Sequence, residues 1–181
     1  MERIGCGMAA VKLIDNFLPK FVHQRIYEGV AEDPFIPYYY SSHVAHHTNE
    51  ERDDIKQLMF VHTLYRDKKI LSPWFDKIAL PILDKLQVKD GKLLRVKINL
   101  NPNQLESITS AWHTDCTEID NYSVAIYYCN TNNGYTEFEG GEKIKSVANR
   151  IALFDGQLKH RGITQTDTKG RFAVNINYET D

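Results

Sequence analysis

From residue 92 onward the chain reads with a period of two, and this alternation limits the fold more than any other feature of the sequence. Leu94, Val96, Ile98 and Leu100 alternate with Arg95, Lys97, Asn99 and Asn101, and Phe172, Val174, Ile176 and Tyr178 alternate with Arg171, Ala173, Asn175 and Asn177. Successive side chains of a strand point to opposite faces, so each segment is a strand with one apolar and one polar side. Val124, Ile126 and Tyr128, alternating with Ser123, Ala125, Tyr127 and Cys129, make a third strand, and 136–138, 142–147 and 151–154 supply shorter extended runs. Residues 130–134, Gly140-Gly141 and Asp155-Gly156 are turn material between them. Many short strands separated by turns predict a sandwich or barrel rather than alternating βαβ units.

Upstream of residue 90 the pattern changes. Residues 53–64 predict a helix, with Ile55, Leu58, Met59, Val61 and His62 as a broad stripe, and 74–86 predict another through Phe75, Ile78, Leu83 and Leu86, kinked or weakened at Pro81. The expected architecture is a single domain over 1–181, mainly β with N-terminal α-helices, in which 1–90 is a helical support region and 92–179 the β core. Helices covering one sheet would take the Phe172, Val174, Ile176 and Tyr178 face. Arg171, Ala173, Asn175 and Asn177 would then line the interior, where so polar a set needs something polar to bind. Tyr38, Tyr39 and Tyr40 either pack outside a sheet or line a substrate mouth.

Bulk properties exclude several partners. At 181 residues, with 42% hydrophobic and 11% aromatic side chains, the chain can bury one sizeable core. The formal charge is -2, from 22 basic against 24 acidic residues, and the basic ones are scattered, so no nucleic acid is expected as partner. No run approaches the ~20 apolar residues of a membrane span, and residues 1–10 lack a secretory pattern. Cys6, Cys116 and Cys129 are few, odd in number and without metal spacing, which suits a reducing, cytoplasmic setting.

The chemistry begins at Trp112-His113-Thr114-Asp115. In an extended segment residues i and i+2 share a side, so His113 and Asp115 can converge on one ion. His160 follows the apolar run 151–154 and the Asp155-Gly156 turn, and a closed sheet would return it to that pair. Two imidazoles and one carboxylate on one face of an octahedral metal leave three exchangeable positions, the pattern of ferrous oxygenases. Zinc would accept the same donors. Arg171, eleven residues after His160, adds a fork suited to a carboxylate, and Asn99, Tyr127 and Thr136 are neutral hydrogen-bonding candidates for the same pocket. His23, His43, His46, His47 and His62 have no carboxylate at ligand spacing and read as structural or exposed; Asp155 reads as an ordinary turn residue.

His113-x-Asp115, distal His160 and Arg171 resemble the binding pattern of the Fe(II)/2-oxoglutarate-dependent dioxygenases. Gly134-Tyr-Thr-Glu-Phe138 with Gly140-Gly141, and Ile151-Ala-Leu-Phe154 before His160, resemble the prolyl 4-hydroxylase-like branch over roughly residues 92–179. The resemblance implies a double-stranded β-helix, that is, a cupin-like jelly roll. It further implies His113, Asp115 and His160 as Fe(2+) ligands, with 2-oxoglutarate and O2 as co-substrates. Arg171 would hold the distal carboxylate of 2-oxoglutarate, assisted by Tyr127. The implied reaction hydroxylates a peptide or protein residue, prolyl among them, or a small amino-acid-like molecule, releasing succinate and CO2. Two departures stand out: Ala173 occupies a position where many relatives carry Ser, leaving Thr136 or another side chain to supply that hydrogen bond, and the basic residue is Arg where prolyl hydroxylases commonly carry Lys. A non-enzymatic cupin-like module and a zinc-dependent hydrolase are the competing readings.

Overall fold

The structure is a computed structural model that describes residues 11–41, 56–89, 91–116 and 119–180. Its strands are β1 (Lys12–Ile14), β2 (Tyr39–Ser41), β3 (Met59–Arg66), β4 (Lys69–Ile70), β5 (Leu93–Pro102), β6 (Tyr122–Tyr128), β7 (Tyr135–Phe138), β8 (Lys143–Lys145), β9 (Arg150–Asp155), β10 (His160–Ile163) and β11 (Gly170–Glu179). They form two antiparallel sheets. The larger runs β1-β9-β6-β11-β5-β3-β2, with β4 on β3, and the smaller runs β10-β7-β8. Isolated bridges Thr109↔Ile163 and His113↔His160 lay residues 109–113 along the free edge of β10. From β5 the chain therefore alternates between sheets: β5 large, 109–113 small, β6 large, β7 and β8 small, β9 large, β10 small, β11 large. This winding is a double-stranded β-helix, as expected from the spacing of strands and turns.

The large sheet is buried on both faces. Val96, Ile98, Ala125, Tyr127, Ile151, Val174 and Ile176 face outward onto Phe17, Leu18, Ile26, Ile78 and Ile82. Tyr122, Val124, Ile126, Tyr128, Ala152, Phe154 and Ala173 face inward onto Phe138 and Ile144 of the small sheet. The outer layer is built from α1 (Lys20–Tyr27), a π-helical turn (Glu28–Glu32), α2 (Phe75–Ile78) and α3 (Leu80–Leu86). The predicted helix over 74–86 is thus two, broken at Ala79, with Pro81 in the first turn of α3, where its missing N–H costs nothing.

The N-terminal region differs from expectation most at residues 59–66. These form strand β3 rather than a helix, pairing with β5 through Phe60↔Leu100 and Val61↔Asn99. Both faces of β3 are partly buried: Met59 lines the central cavity while His62, opposite Ile98, and Leu64 face the outer core, so two of the buried positions fall three residues apart, as on a helix. The β-branched and aromatic content of Phe60, Val61, Thr63 and Tyr65 was the better signal. Residues 53–55 of that predicted helix, together with His43, His46, His47 and Cys6, lie outside the described residues. Residues 1–90 are accordingly a mixed layer: helices cover the large sheet while β1 and β2–β4 extend its two edges. Tyr39 and Tyr40 belong to β2, the edge strand of the large sheet, and their side chains are exposed.

Candidate metal and co-substrate site

The two histidines are positioned by the backbone. His113 N–H donates to His160 O and His160 N–H to His113 O, both at 3.0 Å, so the residues are cross-strand partners with ring centroids 4.6 Å apart. Each Nδ1 faces a carbonyl, Ala111 O at 3.1 Å for His113 and Leu158 O at 3.2 Å for His160. A carbonyl can only accept, so each Nδ1 carries the proton and each Nε2 presents a lone pair. Asp115 completes the set, and the ligand atoms of His113, Asp115 and His160 all lie within 4.8 Å of one another.

Asp115 is held from three sides. Arg95 donates to Oδ1 at 3.2 Å, and the amides of Asn175 and Asn177 donate to Oδ2 at 2.8 and 3.1 Å. Burial alone would favour the neutral acid, but the neighbouring His160 imidazole together with the cations Lys97 and Arg95 outweighs it and holds the carboxyl far below the usual range. His113 is lowered too, which for a histidine favours the neutral form: burial, reinforced by His160, pushes its imidazolium down to about 4. At neutral pH the pocket therefore offers a carboxylate and, at His113, a neutral imidazole, the protonation states a divalent metal needs. The backbone beside Asp115 is pinned as well, because the Tyr122 hydroxyl accepts from Cys116 N–H at 2.9 Å and donates to Gly156 O at 2.7 Å. A Cβ on Gly156 would sit 2.3 Å from the Tyr122 ring, so this clamp requires glycine.

Arg171 opens β11 and is 7% exposed. Its Nε donates to Ser146 Oγ at 2.7 Å and an Nη to Thr136 Oγ1 at 3.2 Å, and its guanidinium lies 5.5 Å from the centre of the Tyr128 ring. Tyr128 in turn donates to Thr136 Oγ1 at 2.8 Å. Among the described residues no carboxylate comes within ion-pair distance of Arg171. A guanidinium buried with only hydroxyl partners is costly and is relieved by an anion.

One cavity joins these groups. It is lined by His113, Asp115, His160, Arg171, Thr136 and Asn99 together, so six of the seven residues singled out from sequence meet there. Asn99 Oδ1 and Gln104 Nε2 face it buried and without a hydrogen-bond partner among the described residues, as suits a polar occupant. The donor set, the fixed tautomers and the unpaired cation all fit a divalent metal with an anionic co-substrate.

Tyr127 is the exception. It pairs with Val174 and shares that residue's outward face, where its hydroxyl meets His23 Nδ1 at 2.7 Å and Asn149 Oδ1 at 3.1 Å. The tyrosine beside Arg171 is Tyr128, which pairs with Ala173 on the inward face. Alternation alone cannot say which parity of β6 faces in, since tyrosine occupies both. Lys97, Arg95, Ser146 and Tyr128 were not anticipated as site residues. Lys97 and Arg95 share the inward parity of Asn99 and were legible from it, whereas Ser146, beyond the end of β8, carries no sequence signal. Trp112 lies on the surface beneath Arg161, whose guanidinium is 4.2 Å from its ring centre. His62 is buried on Ser72 Oγ at 2.7 Å, a structural role.

No family model and no curated protein matches the sequence. Solved structures do. A prolyl hydroxylase from Trichoplax adhaerens, in complex with a hypoxia inducible factor oxygen degradation domain peptide fragment, superposes with a TM-score of 0.63 at 12% identity over 93% of this chain and 83% of its own. A Pseudomonas putida prolyl-4-hydroxylase gives 0.58 at 13% over 95% and 94%. The non-heme alpha ketoglutarate dependent epimerase SnoN from nogalamycin biosynthesis gives 0.62 at 11% over 94% and 77%. At such identities the likeness speaks for the fold, which here comes with its own ligand set. The chain has the double-stranded β-helix fold of the 2-oxoglutarate/Fe(II) oxygenases, with His113, Asp115 and His160 gathered as a facial triad.

Proposed function

We propose that the protein is an Fe(II)- and 2-oxoglutarate-dependent oxygenase, a hydroxylase of a peptide or protein residue or of an amino-acid-like small molecule. The observation that carries this reading is the presence, in one cavity, of a two-histidine, one-carboxylate triad and a buried arginine with no carboxylate partner among the described residues. When bound, ferrous iron with 2-oxoglutarate supplies an oxidant that places an oxygen atom from O2 in a substrate C–H bond as the co-substrate is converted to succinate and CO2. The chain's part is to bind and orient. His113 and His160 present their Nε2 atoms; Arg95, Asn175 and Asn177 fix the plane of the Asp115 carboxylate; Arg171, aimed by Ser146 and Thr136, receives the far carboxylate of the diacid. Arg171 also weighs against a zinc hydrolase, which has no use for a diacid clamp.

The prolyl hydroxylase neighbour, described with a peptide, supports a peptide substrate, and the epimerase neighbour supports a small molecule. Free Cys116 and Cys129 support a reducing, cytoplasmic setting. No helix of the described residues is long and apolar enough to cross a membrane. The test is anaerobic titration of the protein with Fe(II) and then 2-oxoglutarate, followed by admission of O2 and measurement of succinate. The expected result is weak visible charge-transfer absorption on adding the second component and succinate once O2 enters. Tight zinc binding with no 2-oxoglutarate interaction would overturn the reading.

A further inference from the structure

Resting on that reading, the cavity also speaks to the primary substrate. Arg171 pairs with Asn101 across β11 and β5, whereas Lys97 pairs with Asn175. The two cations are four residues apart along the sheet, roughly 13 Å at the ordinary rise of a strand. Asp115, held by Asn175 and Asn177, lies at the Lys97 end. A five-carbon diacid reaching from Arg171 to the triad is therefore spent before it passes Asp115, and Lys97 stands at the far side of the metal ligands. Lys97 lines the cavity, and among the described residues its ammonium makes no hydrogen bond or ion pair. Arg95 adds positive charge beside it, whereas Arg66 is exposed and sits next to Asp67; the carboxylate that acts on Lys97, Asp115, is already engaged by Arg95, two amides and the role of metal ligand. Two cations, Lys97 and Arg95, thus stand against one committed anion, and Lys97 is the one that lines the cavity, at the end where a substrate carbon must approach the metal.

We propose that the primary substrate carries an anionic group, a carboxylate or a phosphate, which is received by Lys97, so that the oxidised carbon lies close to that group. Lys97 is then the residue that determines specificity: it selects acidic peptides or free acids over neutral ones. A divalent metal and the 2-oxoglutarate dianion cancel in charge, so loading the site leaves the surplus at Lys97 and Arg95 in place.

The test uses the full chain loaded with Mn(II), an inert stand-in for Fe(II), and saturated with 2-oxoglutarate so that Arg171 is occupied. Acetate and inorganic phosphate are titrated separately by calorimetry into wild type, Lys97→Met and Lys97→Arg. Acetate or phosphate should bind wild type in the millimolar range, at least tenfold more weakly in Lys97→Met, and near wild-type strength in Lys97→Arg. Preference for acetate identifies a carboxylate-bearing substrate, and preference for phosphate a phosphorylated one. Binding of neither anion, or equal binding to wild type and Lys97→Met, overturns the proposal. So does a loss of 2-oxoglutarate affinity in Lys97→Met, which would assign the lysine to the co-substrate. Failure of 2-oxoglutarate to bind wild type in the first step would instead sink the oxygenase reading itself.

Discussion

Replacing Arg171 with methionine should weaken 2-oxoglutarate binding and yet leave the ligand-free fold as stable as before, or more so. The guanidinium is 7% exposed, has two hydroxyl partners and no carboxylate among the described residues, and burial pulls its pKa down, a sign that the charge is costly where it sits. Exchanging a poorly compensated buried ion for an apolar side chain of similar volume is commonly neutral or stabilising by about 1–4 kcal/mol. That range, which begins at neutral, is already net of hydrogen bonds lost, here two from a charged donor. Tyr128 already serves Thr136 Oγ1, and Ser146 keeps a rotatable hydroxyl, so these losses are small. The net expectation is a change between zero and about +2 kcal/mol, or up to about 8 °C in Tm at 2–4 °C per kcal/mol for a domain of this size. For the ligand, losing a buried charge-paired partner costs about 2–5 kcal/mol, that is, about 30-fold to several thousand-fold in Kd. Differential scanning fluorimetry reads both at once. Wild type with Mn(II) and 2-oxoglutarate at 100 times Kd gains about 2.7 kcal/mol, a shift of several degrees, and the Arg171→Met protein gains less than about 1 kcal/mol at the same concentration. An unchanged ligand-induced shift, or a fall of more than a few degrees in the ligand-free Tm, would refute the argument that the arginine is kept for an anion rather than for the fold.

Three further outcomes follow from the same geometry. Burial holds the His113 imidazolium near 4, below its ordinary 6.5, so the unfolded chain binds the extra proton first; metal-free stability should fall as pH drops from about 6.5 toward 4, and His113→Phe should flatten that slope in urea melts. Tyr127→Phe should cost about 1–3 kcal/mol in urea unfolding through its lost contacts to His23 and Asn149 while leaving 2-oxoglutarate affinity within about twofold of wild type in calorimetry; a large affinity loss would return Tyr127 to the pocket. Gly156→Ala drives a methyl group into the buried Tyr122 ring and should cost about 1–3 kcal/mol in Tm and weaken Mn(II) binding by calorimetry, since Tyr122 fixes the backbone beside Asp115.

The sequence carried the core of this structure well where one face of a strand was clearly polar. β5 and β11 declare their inward sides through Lys97, Asn99, Asn175 and Asn177, and the triad follows from i, i+2 geometry plus a returning histidine. β6 has no polar face: Tyr122, Val124, Ile126 and Tyr128 are as apolar as Ala125, Tyr127 and Cys129, because both sides are buried, and the wrong tyrosine was drawn into the pocket. β3 is masked because it buries side chains on both faces, Met59 toward the cavity and His62 and Leu64 toward the outer core, and α1 carries little signal, its KFVHQRIY sequence burying only Ile26. Ser146 and the Tyr122 clamp are contacts between segments remote in sequence, and no local pattern encodes them.

The reciprocal backbone pairing of His113 with His160 has a consequence for metal economy. With both imidazoles set by the strand bridge and both tautomers fixed by carbonyls, the donors are arranged before any ion arrives, and nothing in two nitrogens and a carboxylate distinguishes iron from its neighbours in the first transition row. Intrinsic preference then follows the Irving–Williams order, in which nickel, copper and zinc outrank ferrous iron. Purified protein should take up whichever divalent ion it meets, and its activity in a cell is set by which metals that cell keeps scarce as much as by how much iron it provides.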